Sequence, residues 1–141
     1  MEFSLSAKGY LREPNLHDGF VDGIKLDGQH FVRVFLRDVT EQRYVMELAG
    51  VEGLIGNEFR QGNIIFDVKI VRGVAPDMEA LRSLFEPPHP TAPAKYQDEY
   101  GSFLDKHAER IKNGDLSLVR VESSYGCSII SLCADIRITR G

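Results

Sequence analysis

No stretch of this sequence approaches the roughly 18 consecutive apolar residues of a membrane-spanning helix. Its opening, MEFSLSAKGYLREPN, lacks the basic start and long apolar run of a secretory signal. The expectation is a cytoplasmic protein that does not enter a membrane. Cysteine is scarce, with only Cys127 and Cys133 present. Six positions apart, they would sit roughly 20 Å from each other along a strand and about 9 Å along a helix, against a disulfide limit near 7 Å. A bridge between them within one regular element is therefore excluded. Basic charge is also short: 17 Lys and Arg against 21 Asp and Glu give a net charge of −4. Nucleic-acid binding by counterion release needs a basic face, so none is expected. The acidic balance suits a basic protein partner.

Several catalytic signatures are missing as well. There is no strand-to-helix G-x-S-x-G, no C-x-x-C and no Walker lysine; the glycines of GVEGLIGNEF (50–59) follow no phosphate-loop spacing. That stretch reads instead as a turn burying Val51, Leu54 and Phe59. His17-Asp18 is a pair also found in metal-dependent phosphohydrolases, but His30, His89 and His107 lie without ligand spacing. No cofactor, no metal site and no catalytic residue is expected.

The 141 residues suit one domain, 1–141, crossed on its surface by the proline-rich segment EPPHPTAPAK (86–95). Alternation and β-branched or aromatic content place strands near 2–7, 18–26, 29–38, 43–49 and 63–72, before that segment. Asp27-Gly28 marks a two-residue hairpin turn. It would pair Ile24 with Phe31, Asp22 with Arg33, Phe20 with Phe35, Asp18 with Arg37, Val21 with Val34 and His17 with Asp38. Near the C-terminus, Tyr125-Gly126 as a second such turn would pair Val121 with Ile130, Val119 with Leu132 and Leu118 with Cys133. Ser128, Ile130, Leu132, Ala134, Ile136 and Ile138 then form one apolar row. In this arrangement Cys133 is buried and Cys127, beside the turn, is the accessible thiol.

Two helices are expected. A short one covers about 77–85, with Asp77 as N-cap. The main one covers about 96–112, with an apolar stripe of Tyr96, Tyr100, Phe103, Leu104, His107 and Ile111. Asp98 and Glu99 fall in its first turn, Arg110 and Lys112 in its last, and Asn113-Gly114 stops it. The fold class is thus α+β: an antiparallel, meander-rich sheet of about seven strands, as a roll or two layers, with the main helix over one face.

The segments LHDGFVDGIKLDG, GVEGLIG, QGNIIFDVKIV and SSYGCSIISLC together resemble a group of small bacterial β-rich single-domain proteins. Some of these are immunity proteins of polymorphic toxin systems. The resemblance implies a protein-binding inhibitor without catalytic residues. The leading expectation is a non-catalytic protein-interaction module, with His17, Asp18, Asp22 and the turn residue Tyr125 as candidate binding positions. A small hydrolase using His17, Asp18 and Asp22 is one alternative. A structural homo-oligomer subunit pairing through a sheet edge is another.

Overall fold

Alternation of Val32, Val34 and Leu36 with Phe31, Arg33, Phe35 and Arg37 makes 31–37 a half-buried strand, and Tyr44, Met46 and Leu48 repeat the pattern next door. The computed structural model describes residues 2–141. Its strands are β1 (Ser4–Leu5), β2 (Leu11–Glu13), β3 (Phe20–Leu26), β4 (Phe31–Arg37), β5 (Arg43–Ala49), β6 (Gly53–Asn57), β7 (Asn63–Val71), β8 (Ser117–Tyr125), β9 (Ser128–Cys133) and β10 (Asp135–Arg140). Two helices, α1 (Met78–Leu84) and α2 (Ala94–Lys112), lie between β7 and β8. The architecture is α+β, with an eight-stranded antiparallel sheet and a two-stranded one rather than seven strands.

The large sheet closes on itself. Its strand order is β10-β5-β4-β3-β7-β8-β9-β6, but the two ends of that order are halves of strands already inside it. β5 and β6 follow one another across a bend at Gly50 to Glu52, and β9 and β10 across Ala134. β10 pairs with β5 and β6 pairs with β9. Passing through β3, β4, β5/β6, β9/β10, β8 and β7 therefore returns to β3. The last contact is slight, just Phe20 with Ile64 and Val21 with Asn63. The chain at 9–19 serves the rest of β7: Ile70 N–H donates to the Gly9 carbonyl at 2.8 Å, and Asp18 N–H to that of Ile65 at 2.9 Å.

Two cores result. The ring interior holds Val34, Leu36, Met46, Leu48, Ile65, Val121, Ile129 and Ile138, with Leu16 inserted from the N-terminal segment. Outside β8 and β9, Leu116, Leu118 and Leu132 pack under Leu81, Leu104 and Ile111 of the helices. Ile130 and Leu132 thus face the helices whereas Ile136 and Ile138 face the interior. The expected single apolar row is broken because the bend at Ala134 reverses which alternate positions point inward.

Both hairpin registers differ from the sequence expectation. In the first, Lys25 pairs with Arg33, Ile24 with Val34 and Gly23 with Phe35; Asp22 then bulges, so that Val21 meets Leu36 and Phe20 meets Arg37. The bulge puts Val21 and Ile24 on one face opposite Leu36 and Val34, which a two-residue turn does not achieve. Asp22 consequently pairs with Arg37 rather than Arg33. Asp38 caps its own turn through Thr40 and Gln42 instead of meeting His17. In the second hairpin, Val121 pairs with Ile129, Val119 with Ser131 and Leu118 with Leu132. The cause is Asn63, whose side-chain oxygen accepts the Cys127 N–H at 2.9 Å and draws Cys127 inside.

Residues 53–57 form a strand, not a turn, and Phe59 is 54% exposed. Helix α2 starts at Ala94 behind Pro93, so its first turn holds no acidic residue and Asp98 and Glu99 lie further in. Asp77 caps α1 as expected, accepting the Glu79 N–H at 3.0 Å. The buried stripe of α2 is Leu104 and Ile111, with Tyr100 beside them; Tyr96 and Phe103 are 53% and 41% exposed. Phe103 lies edge-on to Phe85 at 4.9 Å between ring centres. Leu104→Ala is expected to cost about 2 kcal/mol and Phe103→Ala under about 1 kcal/mol, because only the former empties a closed site. Urea denaturation of the two variants checks the order; equal losses would refute this helix placement.

A further clamp joins α2 to the bend between β5 and β6. Arg110 donates twice to Glu52, both at 2.8 Å, and His107 Nε2 lies 3.5 Å from the same carboxylate. The Arg110 hydrogen bond is the main reason the Glu52 carboxyl titrates below its ordinary range.

Candidate functional site

Because α1 and α2 cover β8 and β9, the outward side of β3, β4, β5 and β10 carries no helix. Cross-strand partners fall on the same face, so the registers order its side chains into ranks. One rank reads Lys25, Arg33, Glu47, Arg137. The next reads Gly23, Phe35, Val45, Thr139. The third reads Phe20, Arg37, Arg43 and ends where Gly141 N–H donates to the Arg43 carbonyl at 3.0 Å. An apolar rank with no side chain at one end is therefore flanked by two cationic ranks.

The face is concave in two places. A groove of about 620 Å³ is lined by Phe35, Val45, Arg37, Arg43, Glu41 and Asp22, and a second of about 410 Å³ by Phe31, Glu47, Asp135 and Arg137. Two arginines are locked in place between them. Arg37 stacks over Phe20 at 4.4 Å, donates to Asp22 at 3.1 Å and to Glu41 at 2.9 Å, and its guanidinium is held protonated above its usual range chiefly by the Asp22 hydrogen bond. Arg33 stacks over Phe31 at 5.0 Å, donates to the Asp27 carboxylate and lies 3.5 Å from Glu47. Arginine, with tryptophan and tyrosine, is among the side chains enriched at the energetic centres of protein interfaces.

Of the four positions singled out in the sequence, Asp22 alone lines this groove, where it serves Arg37. His17 and Asp18 lie on the approach to β3, with His17 Nδ1 on the Phe66 carbonyl at 2.5 Å and His17 Nε2 3.6 Å from Asp18. Neither residue shares a hydrogen bond or ion pair with Asp22 among the described residues. Nor is there a group of three or more His, Cys, Asp or Glu arranged to hold a metal ion among them. Tyr125 is 52% exposed at the end of β8, with Arg60 6.0 Å above its ring. Phe35, Arg37 and Arg43 were not among the expected site positions; the β4/β5 register sets Arg43 opposite Arg37, and the bulge in β3 brings Asp22 to Arg37, neither of which a local signal announces. Among the described residues no helix is long and apolar enough to cross a membrane.

Comparison with known proteins yields no match to a family model, to a curated protein or to a solved structure.

The thiols offer no chemistry at this face. Cys127 and Cys133 are both buried, which corrects the expectation that Cys127 is accessible. Burial raises both, and Cys133 is pushed up to about 12. Both are expected to resist a maleimide under native conditions and to react together once denaturant is added. Rapid native labelling of Cys127 would contradict the inward turn at Asn63.

Proposed function

We propose that this chain is a non-catalytic protein-interaction module, of the kind that immunity-type inhibitors represent. The observation that carries the reading is the helix-free face of β3, β4, β5 and β10, where Arg33 and Arg37 are fixed on phenylalanine rings beside an open groove. Such pre-ordered side chains lose little conformational freedom on association, so more of the contact energy remains for binding. In this reading the fold is a scaffold, with the helices securing one side and the other left for a partner.

The test is capture by the full chain, tagged and cross-linked in its own cells, together with co-expression against the products of adjacent genes. The reading predicts one specific protein whose capture falls at least tenfold with Phe35→Ala or Arg33→Ala while the far-UV spectrum is unchanged. Turnover of a phosphate or carboxylic ester by the purified chain, abolished by His17→Ala, would overturn it in favour of a hydrolase. Failure to capture any protein in either format would also end it.

A further inference from the structure

We infer that two copies of this chain pair edge to edge through β6, antiparallel about Ile55, so that their sheets run on as one. This goes beyond the interaction reading and does not depend on it. Three observations lead to it.

The first is an open ladder. Among the described residues β6 pairs with β9 alone, and its other edge meets no strand. The Gly53 carbonyl turns toward β9, where it accepts the Ser131 hydroxyl at 2.9 Å. Glu52 N–H donates at 2.8 Å to Leu132, the residue that Gly53 faces, as in a bulge at a bend, so regular alternation runs from Gly53 onward. Ile55 and Asn57 then turn toward β9 as Gly53 does, and the N–H and C=O groups of Leu54 and Gly56 turn outward. No turn, loop or side chain takes these groups up among the described residues. Outward donors and acceptors at alternate residues are what a second strand satisfies.

The second is the lack of a guard. Sheet edges are ordinarily kept from pairing by charged side chains or proline. β10, at the other end of the strand order, carries Asp135, Arg137 and Arg140 in its six residues. The part of β3 that runs past its short pairing with β7 carries Lys25. β6 reads Gly53-Leu54-Ile55-Gly56-Asn57, with neither a charge nor a proline. Gly56 and Asn57 are exposed, and Leu54 and Ile55 are half-buried.

The third is self-complementarity, which selects a second copy as the occupant. An antiparallel pair centred on Ile55 sets Leu54 of each copy opposite Gly56 of the other, Ile55 opposite Ile55 and Gly53 opposite Asn57. The two Leu54–Gly56 pairs use the outward backbone groups and supply about four hydrogen bonds between the copies. Each leucine meets a glycine rather than another bulky side chain. A Cβ on Gly56 would meet only the Ile24 side chain, at 3.7 Å, so the incoming Leu54 can lie over Ile24. The two Ile55 side chains face each other at a position without backbone bonds, where opposite side chains come closest. Centring on Leu54 instead would press leucine on leucine and set Gly56 against Glu52, already clamped by Arg110.

The proposal is tested by sedimentation equilibrium of the full chain together with oxidative cross-linking of single-cysteine variants. So short a contact makes a weak dimer, so the unaltered chain should pass from monomer to dimer as its concentration rises. Gly56→Lys, with the far-UV spectrum unchanged, should weaken the dimer about tenfold or more by filling the space that Leu54 enters. Ile55→Cys should form a disulfide dimer because it meets itself, whereas Asn57→Cys faces Gly53 and should stay single. Cys127 and Cys133 are buried, so the unaltered chain sets the background. A chain that stays monomeric at about 1 mM overturns the proposal. So does cross-linking of Asn57→Cys in preference to Ile55→Cys. A dimer that Gly56→Lys leaves intact and Arg137→Cys cross-links overturns it in favour of the β10 edge. A monomeric chain whose captured protein is lost with Gly56→Lys overturns it in favour of a strand from that protein.

Discussion

Replacing Asn63 by alanine is expected to destabilise the protein by about 4 kcal/mol, more than any surface change at the proposed interface. Asn63 is 1% exposed. Its side-chain oxygen accepts the N–H groups of Arg60, at 2.7 Å, and Cys127, at 2.9 Å. Its amide nitrogen donates to the carbonyls of Arg60, at 2.5 Å, and Val21, at 3.3 Å. One residue thus satisfies groups on β3, on the turn before β7 and on the turn before β9. Alanine leaves the buried Cys127 N–H without a partner, at about 1–3 kcal/mol, and removes the bonds to Arg60 and Val21 besides. Asn63→Asp keeps both acceptor bonds but loses the donors and places a charge in the interior, so it should not rescue. Chemical denaturation of both variants measures this; a loss below about 1 kcal/mol for alanine would mean that water replaces the amide and that Asn63 is no hub.

The second large effect is expected at Gly50, where the strand formed by β5 and β6 bends. Gly50 has φ of +62°, and a Cβ there would lie 2.8 Å from the Cβ of Ala134, at the bend between β9 and β10. Gly50→Ala must therefore bear both a left-handed backbone, worth about 1–2 kcal/mol, and an overlap worth about 1–3 kcal/mol. Gly73 separates the two contributions. Its φ is +79° but nothing lies within 4 Å of its Cβ direction. Gly73→Ala should cost about 1 kcal/mol and Gly50→Ala about 3 kcal/mol. Equal melting temperatures for the two variants would show that the bends at Gly50 and Ala134 do not press on each other.

These two residues also mark where the sequence stops being legible. Strands β3, β4, β5 and β7 and both helices follow from alternation, turn residues and caps, all of which act within a few positions. The Asp77 cap and the stop at Asn113-Gly114 are local chemistry of this kind. Register is not local. The bulge at Asp22 exists because Val21 and Ile24 both need the interior, and that need appears only when β4 is opposite them. β6 is hidden for a related reason: Gly53, Leu54, Ile55, Gly56 and Asn57 have no clean alternation, and they become a strand because β9 supplies the partners. Asn63 reads as a turn residue, and its acceptors and donors come from segments up to 64 positions away. The candidate site was barely legible. Asp22 belongs to the groove, but His17, Asp18 and Tyr125 lie elsewhere, and Phe35, Arg37 and Arg43 come together through the pairing of β4 with β5.

The closed ring has a temporal counterpart. The seam that completes it joins Tyr44 to Arg140 at one end and Asn57 to Ser128 at the other, partners roughly 70 to 95 residues apart along the chain. Such contacts reward the chain only after a long loop has been closed, so their entropy must be surrendered early and recovered late. The β3/β4, β4/β5 and β8/β9 hairpins should organise first and the β5/β6 strand should dock on β9/β10 last, giving refolding in about milliseconds to seconds rather than the microseconds of helical bundles. A stopped-flow refolding trace reads that rate directly, and a microsecond phase carrying the full amplitude would be incompatible with a ring closed from opposite ends of the sequence.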